Sequence, residues 1–207
     1  MPCTILQWNM RHNVTWYEEA TEVLLELGAD PNVTDADGMS PLMCTVWGYH
    51  DIQRSDDSRV RCAKMCIDKG AFVNAQTIYG FAPILVASMW GCVPALELLV
   101  GAGADLSVTC EQNGMNALHC AAKEGRMDAA RFLVNHGVDM QSECHQGTAE
   151  QTAVLSGRFA LAEMLRVEAL RRAKCEAFAM GHQERLGAGS RVCGLDQGVV
   201  RMVLEQL

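Results

Sequence analysis

Apolar residues along this chain occur in short stripes, and most of the stripes end at a glycine-centred turn. The segments 95–100 and 129–134, for example, place apolar residues on one face of a helix. The turns resemble one another: Gly28-Ala29-Asp30-Pro31-Asn32, Gly70-Ala71-Phe72-Val73-Asn74, Gly103-Ala104-Asp105-Leu106-Ser107 and Gly137-Val138-Asp139-Met140-Gln141. Their spacings of 42, 33 and 34 residues predict repeated units that must stack to bury their apolar faces.

The predicted units carry start and stop signals for helices. Ser40-Pro41 and Ala82-Pro83 place proline in a first helical turn, where its missing N–H costs nothing. The turn glycines can adopt the left-handed conformation that ends a helix, which other residues resist. Each unit is therefore expected to be a pair of short helices.

Three segments align in one register and carry a family resemblance. They are Asp37-Gly38-Met39-Ser40-Pro41-Leu42, Tyr79-Gly80-Phe81-Ala82-Pro83-Ile84 and Asn113-Gly114-Met115-Asn116-Ala117-Leu118-His119. The chain resembles the ankyrin-repeat family, whose pattern reads roughly D-x-x-G-x-T-P-L-H-x-A-A-x-x-G-H before an apolar helix and G-A-D-V-N. The resemblance implies an all-α ankyrin-repeat solenoid of helix-turn-helix units with β-turn or hairpin fingers, plus a C-terminal helical extension.

The register divides the chain into about five repeats over residues 4–168. Residues 1–36 form a degenerate N-terminal capping repeat that opens at Thr4-Ile5-Leu6-Gln7, and residues 37–168 hold repeats two to five. The long first interval indicates an insertion at about 53–61, expected as a polar loop between helices. Residues 169–207 form the C-terminal helical extension. A long helix over 161–180, a glycine-rich bend at 187–190 and an amphipathic helix over 195–204 are expected near the C-terminus.

The charge distribution favours protein partners over nucleic acid. The formal net charge is −8, and residues 1–157 hold 9 Lys and Arg against 19 Asp and Glu. Nucleic-acid affinity comes from cationic side chains that displace counterions from phosphates, so an acidic body disfavours it.

Cysteine usage and the N-terminus indicate an intracellular protein, in the cytoplasm or nucleus. The ten cysteines include no C-x-x-C pair, and residues 1–13 lack an apolar stretch of signal-peptide length, so we expect reduced thiols and no metal site. The apolar stretch 81–104 is interrupted by Pro83, Gly91, Pro94 and Glu97. These residues predict two short helices in place of a membrane span.

The chain carries no motif typical of catalysis or of cofactor binding, so we expect neither an enzyme nor a cofactor. His119 and Cys120 are adjacent and could be imagined as a base and a nucleophile. The family resemblance instead implies a structural hydrogen bond for His119, and neighbouring helix residues point apart. An enzyme that uses Cys and His is the remote alternative.

Candidate binding residues occupy positions that vary in the family and that the resemblance places on a concave, finger-lined face. They are Met39, Trp47, Ile78, Tyr79, Phe81, Met89, Trp90, Met115, Lys123 and Glu124. Aromatic and sulfur-containing side chains dominate interface hot spots, so a protein partner with an apolar anchor and some basic residues is expected, beside an acidic border at Asp35, Asp37, Glu111 and Glu124. In the alternative interpretation, Met39, Phe81 and Met115 cover neighbouring fingers, while Trp47 and Trp90 pack inside the stack.

The C-terminal helices have two interpretations. In one they fold back and cap the apolar end of the stack. In the other they dock a ubiquitin ligase, as C-terminal modules of ankyrin proteins often do, so that the chain is a substrate-recognition subunit. The first and more general hypothesis remains a noncatalytic scaffold, inhibitor or adaptor.

Overall fold

The computed structural model describes residues 17–47 and 56–186. Within these ranges nine α-helices follow one another, and β-structure is limited to two isolated antiparallel bridges, Thr109–Asn116 and Cys144–Gly147. The helices are α1 (Tyr17–Glu26), α2 (Pro41–Val46), α3 (Asp56–Asp68), α4 (Pro83–Trp90), α5 (Val93–Gly101), α6 (Ala117–Glu124), α7 (Met127–Asn135), α8 (Ala149–Leu155) and α9 (Phe159–Leu186). The predicted all-α class is confirmed.

The helices stack in two layers. The inner layer is α2, α4, α6 and α8, in which each helix packs on the next, and α1, α3, α5 and α7 form the outer layer in the same way. Large side chains such as Leu85, Leu96, Leu118 and Leu133 are fully buried in these layers. The core is therefore shared between units, because a single pair of helices has too little apolar surface to bury on its own.

Three of the four inner helices, α2, α6 and α8, begin at side chains that cap them, whereas α4 follows Ala82, which makes no such bond. Ser40 Oγ accepts a hydrogen bond from the Met43 amide at 3.3 Å, and Asn116 Oδ1 accepts one from the His119 amide at 3.0 Å. Thr148 caps α8 and forms a reciprocal capping box with Gln151. These bonds satisfy backbone donors that a helix leaves without an internal partner.

Asparagine side chains in the turns join the first three units along the outside of the stack. Asn32 donates from Nδ2 to the Gly70 carbonyl at 2.9 Å and accepts from the Phe72 amide at 2.7 Å. Asn74 repeats both bonds one unit later, to the Gly103 carbonyl at 3.2 Å and from the Asp105 amide at 2.8 Å.

The apolar stretch 81–104 is split as predicted. It forms α4 and α5, and Gly91 lies between them in the left-handed conformation, with φ at 77°. Among the described helices, none is both long enough and apolar enough to cross a membrane.

The predicted loop at the insertion is wrong for residues 56–61. Helix α3 begins at Asp56 and has 13 residues, against nine in each of α5 and α7. Asp57 suits the positive end of the helix dipole, and Arg61 pairs with Glu18 on α1, with Nη2 and Oε2 2.9 Å apart. The Arg61 hydrogen bond lowers the pKa of the Glu18 carboxyl. Residues 53–55 of the insertion lie outside the described ranges.

Near the C-terminus, the predicted long helix is confirmed by α9, which extends beyond it at both ends. Residue contacts divide the chain into compact units of residues 1–162 and 163–207, while the expected boundary at 168/169 falls inside α9. The repeat opening at Thr4, the bend at 187–190 and the helix over 195–204 lie outside the described residues. Both interpretations of the C-terminal helices depend in part on that segment, so they stay predictions.

Candidate protein-binding surface

Short turns precede the inner helices and project as fingers, here numbered by repeat: second (35–39), third (77–81), fourth (110–115) and fifth (144–147). The third finger closes by hydrogen bonds from the Thr77 amide to the Phe81 carbonyl at 3.0 Å and from the Gly80 amide to the Thr77 carbonyl at 2.9 Å. The buried Thr77 hydroxyl also accepts from the Phe81 amide at 3.0 Å. These bonds hold Ile78 and Tyr79 at the tip, where they are 62% and 42% exposed.

Neighbouring fingers support the third finger from both sides. The Ile78 amide donates to the Asp37 carbonyl of the second finger at 3.0 Å, and the Cys110 thiol of the fourth finger donates to the Tyr79 carbonyl at 3.3 Å. The backbone at Gly80 approaches Glu111 closely. Asp37 and Glu111 are exposed. We call Asp37, Ile78, Tyr79 and Glu111 the finger-tip surface: an apolar pair between two carboxylates.

A second group of predicted residues lies at the C-terminal ends of the inner helices. Trp47 follows α2, Met89 and Trp90 end α4, and Lys123 and Glu124 end α6. Lys123 is exposed and the other four are partly exposed, as is Phe81 at the base of the third finger. The five residues at the helix ends, without Phe81, hold related positions in successive units, and we call them the helix-end row.

Met39 and Met115 are buried and do not belong to the exposed surface. Their side chains are only 7% and 5% exposed, so neither is open to a partner. The alternative interpretation of covering neighbouring fingers describes these two residues better. Phe81 holds the equivalent position and is partly exposed, so the position alone does not determine exposure.

Two residues beside the row were missed from the sequence. Arg126 donates from Nε to the Met89 carbonyl at 3.1 Å, and its side chain lies against Gly91. Leu155 occupies the place of Lys123 one repeat later and is 69% exposed. Both could have been found by counting from Gly125 and Gly157, which hold the same place in repeats four and five.

The structural interpretation of His119 is confirmed. The ring is buried, and Nε2 lies 3.0 Å from the Gly147 carbonyl of the fifth finger. Nδ1 lies 2.6 Å from Asn116 Oδ1 and 3.4 Å from the Asn116 amide nitrogen. Nε2 donates to the Gly147 carbonyl, and this bond joins the ring of repeat four to the fifth finger. Burial lowers the pKa of His119 and raises the pKa of the Cys120 thiol to about 12. A buried neutral ring beside a protonated thiol is poorly suited to nucleophilic catalysis.

Stability should depend on pH through His119. Its pKa is lower in the folded chain than the roughly 6.5 of an unfolded histidine, so protonation favours the unfolded state. The free energy of unfolding should therefore fall as the pH drops through about 6.5, and this loss should be complete below the folded-state pKa.

Urea titrations between pH 8 and pH 5 measure this dependence. His119→Gln should weaken the pH dependence, because glutamine does not titrate. Glutamine suits the position, since Gln151 forms the capping box at the equivalent place in repeat five. His145→Gln, at an exposed position, should leave it intact. Equal pH dependence in wild type and His119→Gln would contradict this role.

Across residues 17–47 and 56–186, no group of three or more His, Cys, Asp or Glu side chains is arranged to hold a metal ion.

Comparison with known proteins identifies the class. Residues 84–175 match the family described as ankyrin repeats, in three copies. Over 148 residues the chain is 32% identical to the human SH3 and multiple ankyrin repeat domains protein 2, covering 71% of this chain and 8% of that protein. It is 28% identical over 149 residues to ankyrin repeat domain-containing protein M-T5 of Myxoma virus (strain Lausanne), covering 69% and 29%.

A putative ankyrin repeat protein of Rickettsia felis is 29% identical over 122 residues, covering 59% of this chain and 50% of that protein. The chain thus spans half or less of the length of each of these relatives. Together with the stacked helix pairs and fingers, the matches show that the chain is an ankyrin repeat protein. Ankyrin repeats generally mediate protein–protein interaction.

Proposed function

We propose that this chain is a noncatalytic interaction module of the cytoplasm or nucleus, acting as a scaffold, inhibitor or adaptor. It binds a partner protein on its concave, finger-lined face. The observation that carries the proposal is the exposed apolar pair Ile78 and Tyr79 at the tip of the third finger.

The third finger suits binding because its tip is both apolar and held in place. Isoleucine at a solvent-facing tip gives the folded chain no core packing, so a polar residue would serve equally well for stability. The hydrogen bonds of Thr77 and the contacts from Asp37 and Cys110 fix the tip before a partner arrives. A preorganised tip loses less conformational entropy on binding, so the same contacts give a higher affinity.

The flanking carboxylates indicate the chemistry of the partner. Asp37 and Glu111 belong to the fingers on either side of Ile78 and Tyr79, and the chain carries a net charge of −8. A partner segment with an apolar anchor and basic neighbours would meet apolar and acidic groups together. Such complementarity raises the association rate and favours the correct partner.

The helix-end row gives the proposed face a second set of contacts. Its two tryptophans offer large contact areas, and Lys123 adds a cation. A partner that extends from the finger tips to this row would contact the chain at two sites. We place the main contribution at Ile78 and Tyr79, which are more exposed than the tryptophans.

The experiment is quantitative affinity capture from cell extract with the full chain. Ile78→Ala together with Tyr79→Ala should reduce recovery of a specific partner about tenfold or more, because truncating hot-spot side chains has effects of that size. Phe72→Ala is the matched control, since Phe72 is 66% exposed but lies in the turn before the finger. Unchanged recovery with the double variant, or an equal loss with Phe72→Ala, would refute the assignment of this surface.

A further inference from the structure

The second compact unit carries an exposed stripe on α9 that combines apolar and basic residues. Val167 and Leu170 are 46% and 58% exposed, and Arg166, Arg171 and Lys174 are exposed beside them. Residues three and four apart share one face of a helix, so these five side chains form one continuous strip. We call them the α9 stripe.

Two arginines of the stripe form local ion pairs on α9. Arg166 lies 3.6 Å from Glu163 and Arg171 lies 3.6 Å from Glu168, each pair being three residues apart along the helix. Both arginine side chains remain more than half exposed. Exposed pairs of this kind contribute little to stability, so breaking them costs little when the arginines meet other carboxylates.

The α9 stripe has the chemistry that the finger-tip surface requires. The stripe presents two aliphatic side chains among three cations, while the finger-tip surface presents an aliphatic and an aromatic side chain between two carboxylates. We propose that a second copy of this chain docks there, with the α9 stripe of one copy on the finger-tip surface of another. This inference rests on the proposed function, because it takes the same surface as the binding site.

The contact joins two different surfaces, and each copy carries both of them: one α9 stripe and one finger-tip surface. Such a head-to-tail contact builds rings or open chains. A helix strip against a finger tip buries less area than stable dimers need, so the association is weak and appears only at high protein concentration. An occupied finger-tip surface is closed to other proteins, so self-association competes with partner binding.

Sedimentation velocity of the full chain over about 5–500 μM, a range chosen for a small and weak interface, tests the inference. The weight-average sedimentation coefficient should rise with concentration, and 0.5 M NaCl should suppress the rise because salt screens exposed charges. Val167→Ser with Leu170→Ser should abolish it, as should Ile78→Ala with Tyr79→Ala. Leu27→Ser, at a 76% exposed apolar position outside both surfaces, should leave it unchanged.

The most specific test mixes the two double variants, one altered in the α9 stripe and the other in the finger-tip surface. One keeps an intact finger-tip surface and the other an intact α9 stripe, so the mixture should form heterodimers although neither variant associates alone. Arg166→Glu with Arg171→Glu is a second stripe variant that leaves the apolar residues in place and should also abolish the association.

Failure of this inference is distinguishable from failure of the proposed function. A wild-type chain that stays monomeric throughout, including one whose stripe contacts its own finger tips, overturns the inference. So does association that survives the finger-tip variant. In each case capture of a different protein through Ile78 and Tyr79 still tests the proposed function independently.

Discussion

Gly80→Ala should lower the free energy of unfolding by about 3 kcal/mol, from left-handed strain and a backbone collision together. Gly80 has a φ of +78°, and a Cβ there would lie 2.6 Å from the Glu111 backbone nitrogen and 2.9 Å from its Cγ. The backbone of the fourth finger would have to move, which would disturb both the stack and the finger-tip surface.

Gly103→Ala is the matched control for this substitution. Gly103 has a φ of +86°, but a Cβ there would meet nothing within 4 Å. Its cost should be about 1 kcal/mol, from the backbone conformation alone. Urea unfolding followed by circular dichroism measures both variants, and equal losses would contradict close packing between the third and fourth fingers.

The second large effect is expected from Leu118→Ala, which should lower the free energy of unfolding by about 3 kcal/mol through the cavity it leaves. Leu118 is fully buried on α6, which packs against α4 and α8 in the neighbouring units. A cavity there weakens contacts to units on both sides of the stack.

Leu155→Ala removes the same atoms from a side chain that is 69% exposed. Its effect should stay within about 0.5 kcal/mol, as for other surface substitutions. The same urea titrations measure the free energy of unfolding of both leucine variants. Similar losses for Leu118→Ala and Leu155→Ala would mean that burial between units does not stabilise the stack.

The periodic features of the fold could be predicted from the sequence. Glycine turns, prolines in first helical turns and apolar stripes recur in register, and each reflects a backbone requirement that few residue types satisfy. The same register correctly split residues 81–104 into α4 and α5. The family resemblance implied a structural hydrogen bond for His119, and the structure supplies its partner in the Gly147 carbonyl of the fifth finger.

Features that depend on one particular neighbour could not be predicted. Helix α3 begins at Asp56 in a polar run that is typical of a loop, and its Arg61 pairs with Glu18, 43 residues earlier in the chain. No local pattern announces such a pairing, since exposed arginines and glutamates are common on helices.

Exposure at the candidate site was also only partly predictable. Met39, Phe81 and Met115 hold equivalent positions, yet only Phe81 is partly exposed. The flexible methionine side chain can fill the space beneath a finger, whereas the stiffer Phe81 ring stays partly exposed at the base of the third. Register identifies the position, but packing with the neighbouring fingers decides where the side chain lies.

Photo-crosslinking from the tip of the third finger tests whether a partner protein binds there. A photoreactive phenylalanine analogue at Tyr79 of the full chain should crosslink to a protein other than this chain, and the same analogue at Phe72 should not, because only position 79 lies on the finger-tip surface. Mass spectrometry of the adducts identifies what each position touches. Crosslinks to a captured partner from position 72 and none from position 79 would contradict binding on the finger-lined face.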